Sequence, residues 1–219
     1  MIMVNSPCNP TGAVYTREEI EEIVSIAIEH DLWIVSDEIY SRLIWNGGEH
    51  VSPATIEGGK ERTIVISGWS KTWAMTGMRV GFLAGPEQAV RAAVKCQANS
   101  ASHIPTFMME AARVALDCDD HVERFSDAYR QRRKLMVQGL EDIPGLRIVN
   151  PEGAFYLFID VSGTGMSDVE FADGALEAGV QLIPASLITG GEGFIRVSYA
   201  ASEEDIKEGI SRLRSWLLQ

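Results

Sequence analysis

The first 85 residues alternate short apolar runs with a helical pattern, and this alternation constrains the fold more than any other feature. The runs at 2–4, 32–40, 63–67 and 80–85 are typical of short buried strands. After the first run, apolar residues recur at helical spacing, and they follow a capping-box pattern that begins at Thr16. Strands that alternate with helices favour a largely parallel sheet with helices on its faces. We therefore predict an α/β fold.

The character of the chain changes in its second half. Residues 87 to about 118 have a helical pattern that Pro105 must interrupt, and a charge-rich helix is expected at about 120–141. Four short strand patterns follow, separated by a helix near 167–178 and closed by a helix at 202–217: LRIVN, GAFYLFID, VQLIP and FIRVSYA.

This second half has the pattern of a small α+β domain. We place the boundary within the long helical region, which gives one domain over 1–100 and a second over 101–219. The first is a partial, mostly parallel sheet, and the second is complete.

Composition excludes several classes of protein. Acidic residues number 31 against 19 basic ones, and the net charge of −12 argues against a nucleic-acid-binding face. No apolar run is long enough for a membrane span, and the first residues lack a signal-peptide pattern, so we expect a cytoplasmic protein. The three cysteines and four histidines show no ligand spacing, and no metal site is predicted.

Polar residues gather where the predicted strands end. Asn9 follows the first strand, Asp37 and Tyr40 follow the second, and the stretch SGWSK (67–71) follows the third, while Arg79 precedes the fourth. Ligands of α/β sheets bind at the carboxyl ends of the strands, so these residues are expected to converge.

Together these groups have the chemistry of a pyridoxal phosphate pocket. A lysine amine in apolar surroundings can form a Schiff base with a carbonyl. A carboxylate can keep a ring nitrogen protonated, a phenol or amide can bind a phenolic oxygen, and an arginine can hold a phosphate through its planar fork.

Five motifs also occur in the order and spacing of one known family: NSPCNPTG, SDEIY, SGWSKTWAMTGMRVG, PEGAFY and FIRVSYA. In these motifs the chain resembles the class I/II aminotransferases of fold type I. The resemblance covers nearly the whole chain and implies pyridoxal 5'-phosphate as cofactor, amino acids and 2-oxo acids as substrates, and a homodimer.

The resemblance also implies a role for each cofactor residue. Lys71 would carry the cofactor and move the proton at the substrate α-carbon. Asp37 would pair with the ring nitrogen, and Tyr40 and Asn9 would bind the phenolic oxygen. Ser70, with Ser67 as a further candidate, and Arg79 would hold the phosphate.

Two further residues take roles from the resemblance. Arg196 in FIRVSYA would clamp the substrate carboxylate, and Asn9 is also a candidate for substrate binding. Ser102, in ANSASHIPT, is a candidate for contact with the phosphate site of a partner subunit.

Local sequence alone leaves structural interpretations open for these residues. Asn9 has the context of a turn residue, and Asp37 and Tyr40 of a strand end or helix cap. Lys71 could extend its stem past apolar neighbours, and Arg79 could form a structural ion pair. GAFY is mostly core in either interpretation, with Phe155 and Tyr156 on opposite strand faces.

The chain is shorter than typical members of this family. We expect it to correspond to the C-terminal half, to lack the part that contacts the ring face, and to be weakly active or inactive alone. Exposed strand flanks would then require cover from a partner.

The leading hypothesis is an aminotransferase. The same residues would also serve a β-lyase, decarboxylase or synthase that uses this cofactor. The pattern is compatible as well with a ligand-sensing domain of a transcription regulator, or with an inactive remnant kept for its dimer surface.

Overall fold

The computed structural model describes residues 1–45 and 47–218, and the chain divides into two compact units. The first comprises Met1–Cys8 and Ala13–Phe125, and the second comprises Asn9–Gly12 and Ser126–Gln219. The main division lies between Phe125 and Ser126, whereas the domain boundary predicted from the sequence lies near residue 100.

The first unit contains four strands: Ile2–Asn5 (β1), Ile34–Asp37 (β2), Thr63–Gly68 (β3) and Gly81–Ala84 (β4). They form one sheet in the order β1-β2-β3-β4. The first three strands are parallel, as predicted, but β4 runs antiparallel to β3.

Helix α1 (Arg17–Glu29) begins with the capping box that the sequence predicts. The Glu19 N–H donates to Thr16 Oγ1 at 3.2 Å, and the Thr16 N–H donates to Glu19 Oε2 at 2.7 Å. Two backbone donors at the helix start are thereby satisfied. The apolar face of α1 forms a core with the first two strands, built from Val4, Ile20, Val24, Ala27 and Ile34.

Three helices follow the sheet: α2 (Glu87–Ser100), α3 (Thr106–Ala115) and α4 (Asp119–Leu140). Helix α2 ends at Ser100, and Pro105 directly precedes α3, so the helical region is divided and Pro105 stands at a helix start. Within the described residues, no helix combines the length and the apolar character that crossing a membrane would require.

The elements of the second unit are Arg147–Val149 (β5), Tyr156–Asp160 (β6), Asp168–Glu177 (α5), Ile183–Pro184 (β7), Phe194–Ser198 (β8) and Glu203–Leu217 (α6). The strands form an antiparallel sheet in the order β5-β6-β8-β7. One face of this sheet is apolar and buried, and helix α5 packs on β7 and β8.

The carboxylate of Asp160 ties the end of β6 to its neighbours. Its Oδ1 accepts from Ser162 Oγ at 2.6 Å and from the Ser162 N–H at 3.0 Å, and Arg147 Nη2 lies 2.7 Å from Oδ2. These hydrogen bonds from Ser162, with those from Arg147, lower the pKa of Asp160 from 3.8 to about 2.

We expect Asp160→Asn to lower the free energy of unfolding at neutral pH by about 1 kcal/mol, since solvent screens the exposed Arg147 partner. The pKa of Asp160 is depressed in the folded state, so this stability is present above the unfolded pKa and disappears as the pH falls from about 4 to about 2. Urea unfolding at several pH values measures the difference, with the exposed Asp173→Asn as control. An equal loss at pH 2 and pH 7 would contradict this assignment.

Candidate active site

The carboxyl ends of β2 and β3 lie side by side, and two of the predicted motifs meet there. Asp37 pairs with Ile66 in parallel register, and the Glu38 N–H donates to the Ile66 carbonyl at 2.8 Å. Ser67 Oγ then donates to the Glu38 carbonyl at 3.2 Å. The motif SDEIY is therefore joined directly to the start of SGWSK.

Asp37 is the last residue of β2, and Tyr40 lies in the turn that follows. Asp37 Oδ1 accepts from the Ile39 N–H at 3.2 Å, and the Asp37 carbonyl accepts from Asn5 Nδ2 at 3.3 Å. The side chain of Asp37 is half-buried, whereas Tyr40 is only 3% exposed. The backbone around both residues is therefore anchored to the sheet.

Lys71 lies in the connection between β3 and β4, half-buried and between two tryptophans. The Trp69 N–H donates to the Val80 carbonyl at 3.2 Å and closes the base of this loop. A Cβ on Gly68 would lie 2.7 Å from the Val80 carbonyl oxygen, so the closure requires glycine there.

The same loop holds two non-glycine residues in left-handed backbone conformations. Ala74 has a φ of 52° and Arg79 a φ of 55°, and the Ala74 N–H donates to the Lys71 carbonyl at 3.3 Å. Such conformations are sparsely populated and concentrate at functional sites. The loop that carries Lys71 is therefore held in a shape that local preference does not favour.

The antiparallel direction of β4 brings Arg79 to the same edge as the other residues. Arg79 directly precedes β4, and an antiparallel strand begins at the edge where its parallel neighbours end. Arg79 is exposed, and its Nη1 donates to the Thr76 carbonyl at 3.0 Å. Arg79 and the half-buried Ser70 flank the hydrogen bond between Trp69 and Val80.

An aromatic cluster surrounds the Lys71 loop. The rings of Trp69 and Trp73 lie 5.8 Å apart, and Phe82 meets Trp69 edge-on at 5.8 Å. Arg42 stands over Trp73, with 5.8 Å from Cζ to the ring centroid. Aromatic rings therefore lie on both sides of Lys71 along the chain, and an apolar environment for its amine stays a prediction.

The residues at this edge suit pyridoxal phosphate by their chemistry. They offer an amine, a carboxylate, a phenol, two hydroxyls and a guanidinium, as such a cofactor needs. They come from three segments that the sheet register places at one edge: Asp37 and Tyr40, Ser67–Lys71, and Arg79. Ser102 lies apart in sequence, in the exposed connection between α2 and α3.

Asn9 and Arg196 belong to the second unit and contact each other. Arg196 lies on β8 between β6 and β7, paired with Phe158 and Ile183. Its Nη1 donates to Asn9 Oδ1 at 2.9 Å. The two candidate substrate-binding residues therefore lie together, while their roles toward a carboxylate and the contact of Asn9 with the cofactor stay predictions.

The segment that carries Asn9 is anchored through Gly12. The Gly12 carbonyl accepts from the Glu152 N–H at 2.9 Å and from the Gly153 N–H at 2.8 Å. Gly12 has a φ of 71°, and a Cβ there would lie 2.3 Å from Pro151 Cβ. Only glycine fits this contact between NPTG and PEGAFY.

Tyr156 is a site residue that sequence reasoning missed. The guanidinium of Arg196 lies over its ring, with 4.7 Å between Cζ and the ring centroid, and Tyr156 is 7% exposed. A cation over a ring face is attracted by the ring's electron density. GAFY has the pattern of core residues, and the signal that could identify Tyr156 is that it occupies the same sheet face as Arg196 on a neighbouring strand.

We expect Tyr156→Ala to weaken binding of an α-carboxylate by roughly 2- to 30-fold, because Arg196 loses a contact of about 0.5–2 kcal/mol. Tyr156→Phe keeps the ring and should stay near the parent value. Isothermal titration calorimetry with a 2-oxo acid measures the change in the dissociation constant. An equal loss in both variants would show that the hydroxyl, not the ring, matters.

Comparisons with known proteins agree with this geometry. The sequence profile of "Aminotransferase class I and II" matches residues 1–213. The chain is 41% identical to an aspartate aminotransferase from Pyrococcus abyssi over 99% of its length, and 42% identical to aromatic-amino-acid aminotransferase 2 from Thermococcus litoralis over the same share.

Solved structures show the same likeness. The aspartate aminotransferase from Thermus thermophilus with maleate superposes with a TM-score of 0.90 at 38% identity, covering 98% of this chain and 56% of that one. The chain spans 57% of the length of each of the two curated relatives. Profile, identity and fold agree: the chain belongs to the class I and II aminotransferase family.

Proposed function

We propose that the polypeptide containing this chain is a pyridoxal-phosphate-dependent aminotransferase that moves an amino group between an amino acid and a 2-oxo acid. The observation that carries this proposal is the junction of β2 and β3. The register of Asp37 with Ile66 and the bond from Ser67 to Glu38 bring SDEIY and SGWSK together at one sheet edge.

The first unit supplies the residues for the cofactor. Asp37 holds a proton on the ring nitrogen, Tyr40 hydrogen-bonds the phenolic oxygen, and Ser70 and Arg79 bind the phosphate. When bound, the cofactor supplies an electron sink for the negative charge that develops at the substrate α-carbon. Lys71 would anchor the cofactor, and its Nζ would accept the proton from that carbon and deliver it to the cofactor.

The second unit supplies the residues for the substrate carboxylate. Arg196 presents two parallel N–H donors to the carboxylate oxygens, and Asn9 and Tyr156 hold the guanidinium in place. A carboxylate clamp of this kind suits both substrates, because an amino acid and a 2-oxo acid share that group. The names of the relatives, aspartate and aromatic aminotransferases, support these substrate classes.

We extend the proposal to a homodimer, which the family resemblance implies. Helix α2, which lies wholly within the described residues, has no buried residue, and its Val94 is 61% exposed. This helix is therefore available for contact with a second copy. Light scattering of the whole polypeptide would measure twice the monomer mass. A monomer at micromolar concentration would contradict this extension.

The reaction is tested by product analysis of the whole polypeptide with an amino acid, 2-oxoglutarate and added pyridoxal phosphate. We expect glutamate and the matching 2-oxo acid in equal amounts. Release of ammonia without formation of glutamate would indicate a lyase instead of an aminotransferase. Absence of either product across aspartate and aromatic amino acids would contradict the proposal.

A further inference from the structure

Glu38 is a buried carboxylate within the motif that carries two of the proposed cofactor residues. It follows Asp37 directly and precedes Tyr40 by two positions, yet it has no part in the chemistry described above. It is 8% exposed. Buried glutamates are rare unless they are paired, so the residues that contact Glu38 indicate its role.

Both oxygens of the Glu38 carboxylate have polar neighbours. Oε1 accepts from Ser36 Oγ at 3.0 Å and from Ser52 Oγ at 2.6 Å. Oε2 lies 3.0 Å from His50 Nε2, a contact whose direction falls outside hydrogen-bond geometry. Burial raises the pKa of Glu38, but contacts with His50, Ser52 and Ser36 outweigh it and leave the pKa below its ordinary value.

The backbone of Glu38 is bonded as fully as its side chain. Its N–H donates to the Ile66 carbonyl, and its carbonyl accepts from Ser67 Oγ at 3.2 Å and from the Ser41 N–H at 3.0 Å. Glu38 thus connects the end of β2, the end of β3 and the segment from His50 to Ser52. The hydroxyl and backbone hydrogen bonds of Glu38 favour one arrangement of this backbone.

We propose that Glu38 is a positioning residue that fixes Asp37 and Tyr40 for the cofactor through its contacts with Ser36, His50 and Ser52. The inference rests on the proposed function. Stability alone does not account for the network, because well-packed apolar residues stabilise a buried site as well as paired charges do. The side chains that contact a cofactor ring must be held in precise positions, and a rigid set of supporting residues around them provides this.

The test uses Glu38→Gln and Glu38→Ala in the whole polypeptide, with the exposed Glu57→Gln as control. Gln keeps the shape and one acceptor oxygen but loses the charge opposite His50. The readouts are the dissociation constant of pyridoxal phosphate and the ratio of the visible absorption bands of the bound cofactor at one pH. Thermal unfolding of the cofactor-free protein reports stability separately.

We expect Glu38→Ala to weaken cofactor affinity by roughly 10- to 100-fold, as loss of outer-shell partners does at metal sites. Glu38→Gln should shift the ratio of the absorption bands in the same direction as Glu38→Ala does, by a smaller amount. Glu57→Gln should change neither the cofactor affinity nor the band ratio. If Glu38→Ala does not fold, Glu38→Gln decides the matter alone.

The inference is overturned if both readouts in the folded variants stay at the parent values, even when the unfolding temperature falls. Glu38 would then serve stability only. Failure of the parent protein itself to bind pyridoxal phosphate or to transfer amino groups is a different result, because it overturns the proposed function and not the role of Glu38 within it.

Discussion

Lys71→Ala is expected to lower the rate of amino transfer by roughly 10²- to 10⁴-fold or more, the range for losing a positioned acid–base group. The variant loses both the anchor for the cofactor and the group that moves the α-carbon proton. The sheet should be unaffected, since the backbone hydrogen bond from Trp69 to Val80 closes the base of the loop.

Single-turnover measurement of 2-oxo acid formation in the whole polypeptide measures this loss. Lys60→Ala is the matched control, because Lys60 is an exposed lysine of the same unit that lies outside the candidate site. A Lys71→Ala protein that transfers amino groups within tenfold of the parent rate would remove Lys71 from its assigned role.

Arg196→Ala should lower kcat/KM by about 1.5–3 kcal/mol of transition-state stabilisation, the range for hydrogen bonds to a charged group. Arg196→Lys should recover only part of this loss, because an ammonium group keeps the charge but not the planar fork. The effect should appear for every substrate with an α-carboxylate, whatever its side chain.

Steady-state kinetics with aspartate and with an aromatic amino acid checks this prediction. The exposed Arg212→Ala, also in the second unit, is the control for general effects of arginine removal. A loss confined to dicarboxylic substrates would show that Arg196 binds the side chain and not the α-carboxylate.

Most of the elements could be predicted because their signals are local. The capping box at Thr16 and Glu19 sets the start of α1, and the apolar spacing along that helix determines which face is buried. Pro105 marks a helix boundary because its ring is tolerated at a helix start and not in a helix interior. These features depend on neighbours within a few residues.

The direction of β4 and the division into units could not be obtained in this way. An antiparallel β4 depends on how the loop of 69–80 closes, which is set by Gly68 and Val80 from opposite ends of that loop. The grouping of α2 and α3 with the first unit depends on packing between distant segments. Neither leaves a periodic signal in the sequence.

The site was predictable in its residue types but not in its supporting contacts. The family motifs identify Lys71, Asp37 and Arg196 as candidates. The ring of Tyr156 contacts Arg196, which lies 40 positions further along the chain. The contact of His50 with Glu38 joins residues 12 positions apart. His50 has no ligand spacing, and Tyr156 resembles a core residue, so only the folded chain shows what they touch.

The most direct test of the central claim is covalent trapping at Lys71. The whole polypeptide is incubated with pyridoxal phosphate, reduced with borohydride, digested with trypsin and examined by mass spectrometry. The account predicts one modified peptide, TIVISGWSKTWAMTGMR with the label on Lys71, and far less label on the other four lysines. An unlabelled Lys71 in a folded protein, or equal labelling of all five lysines, would contradict it.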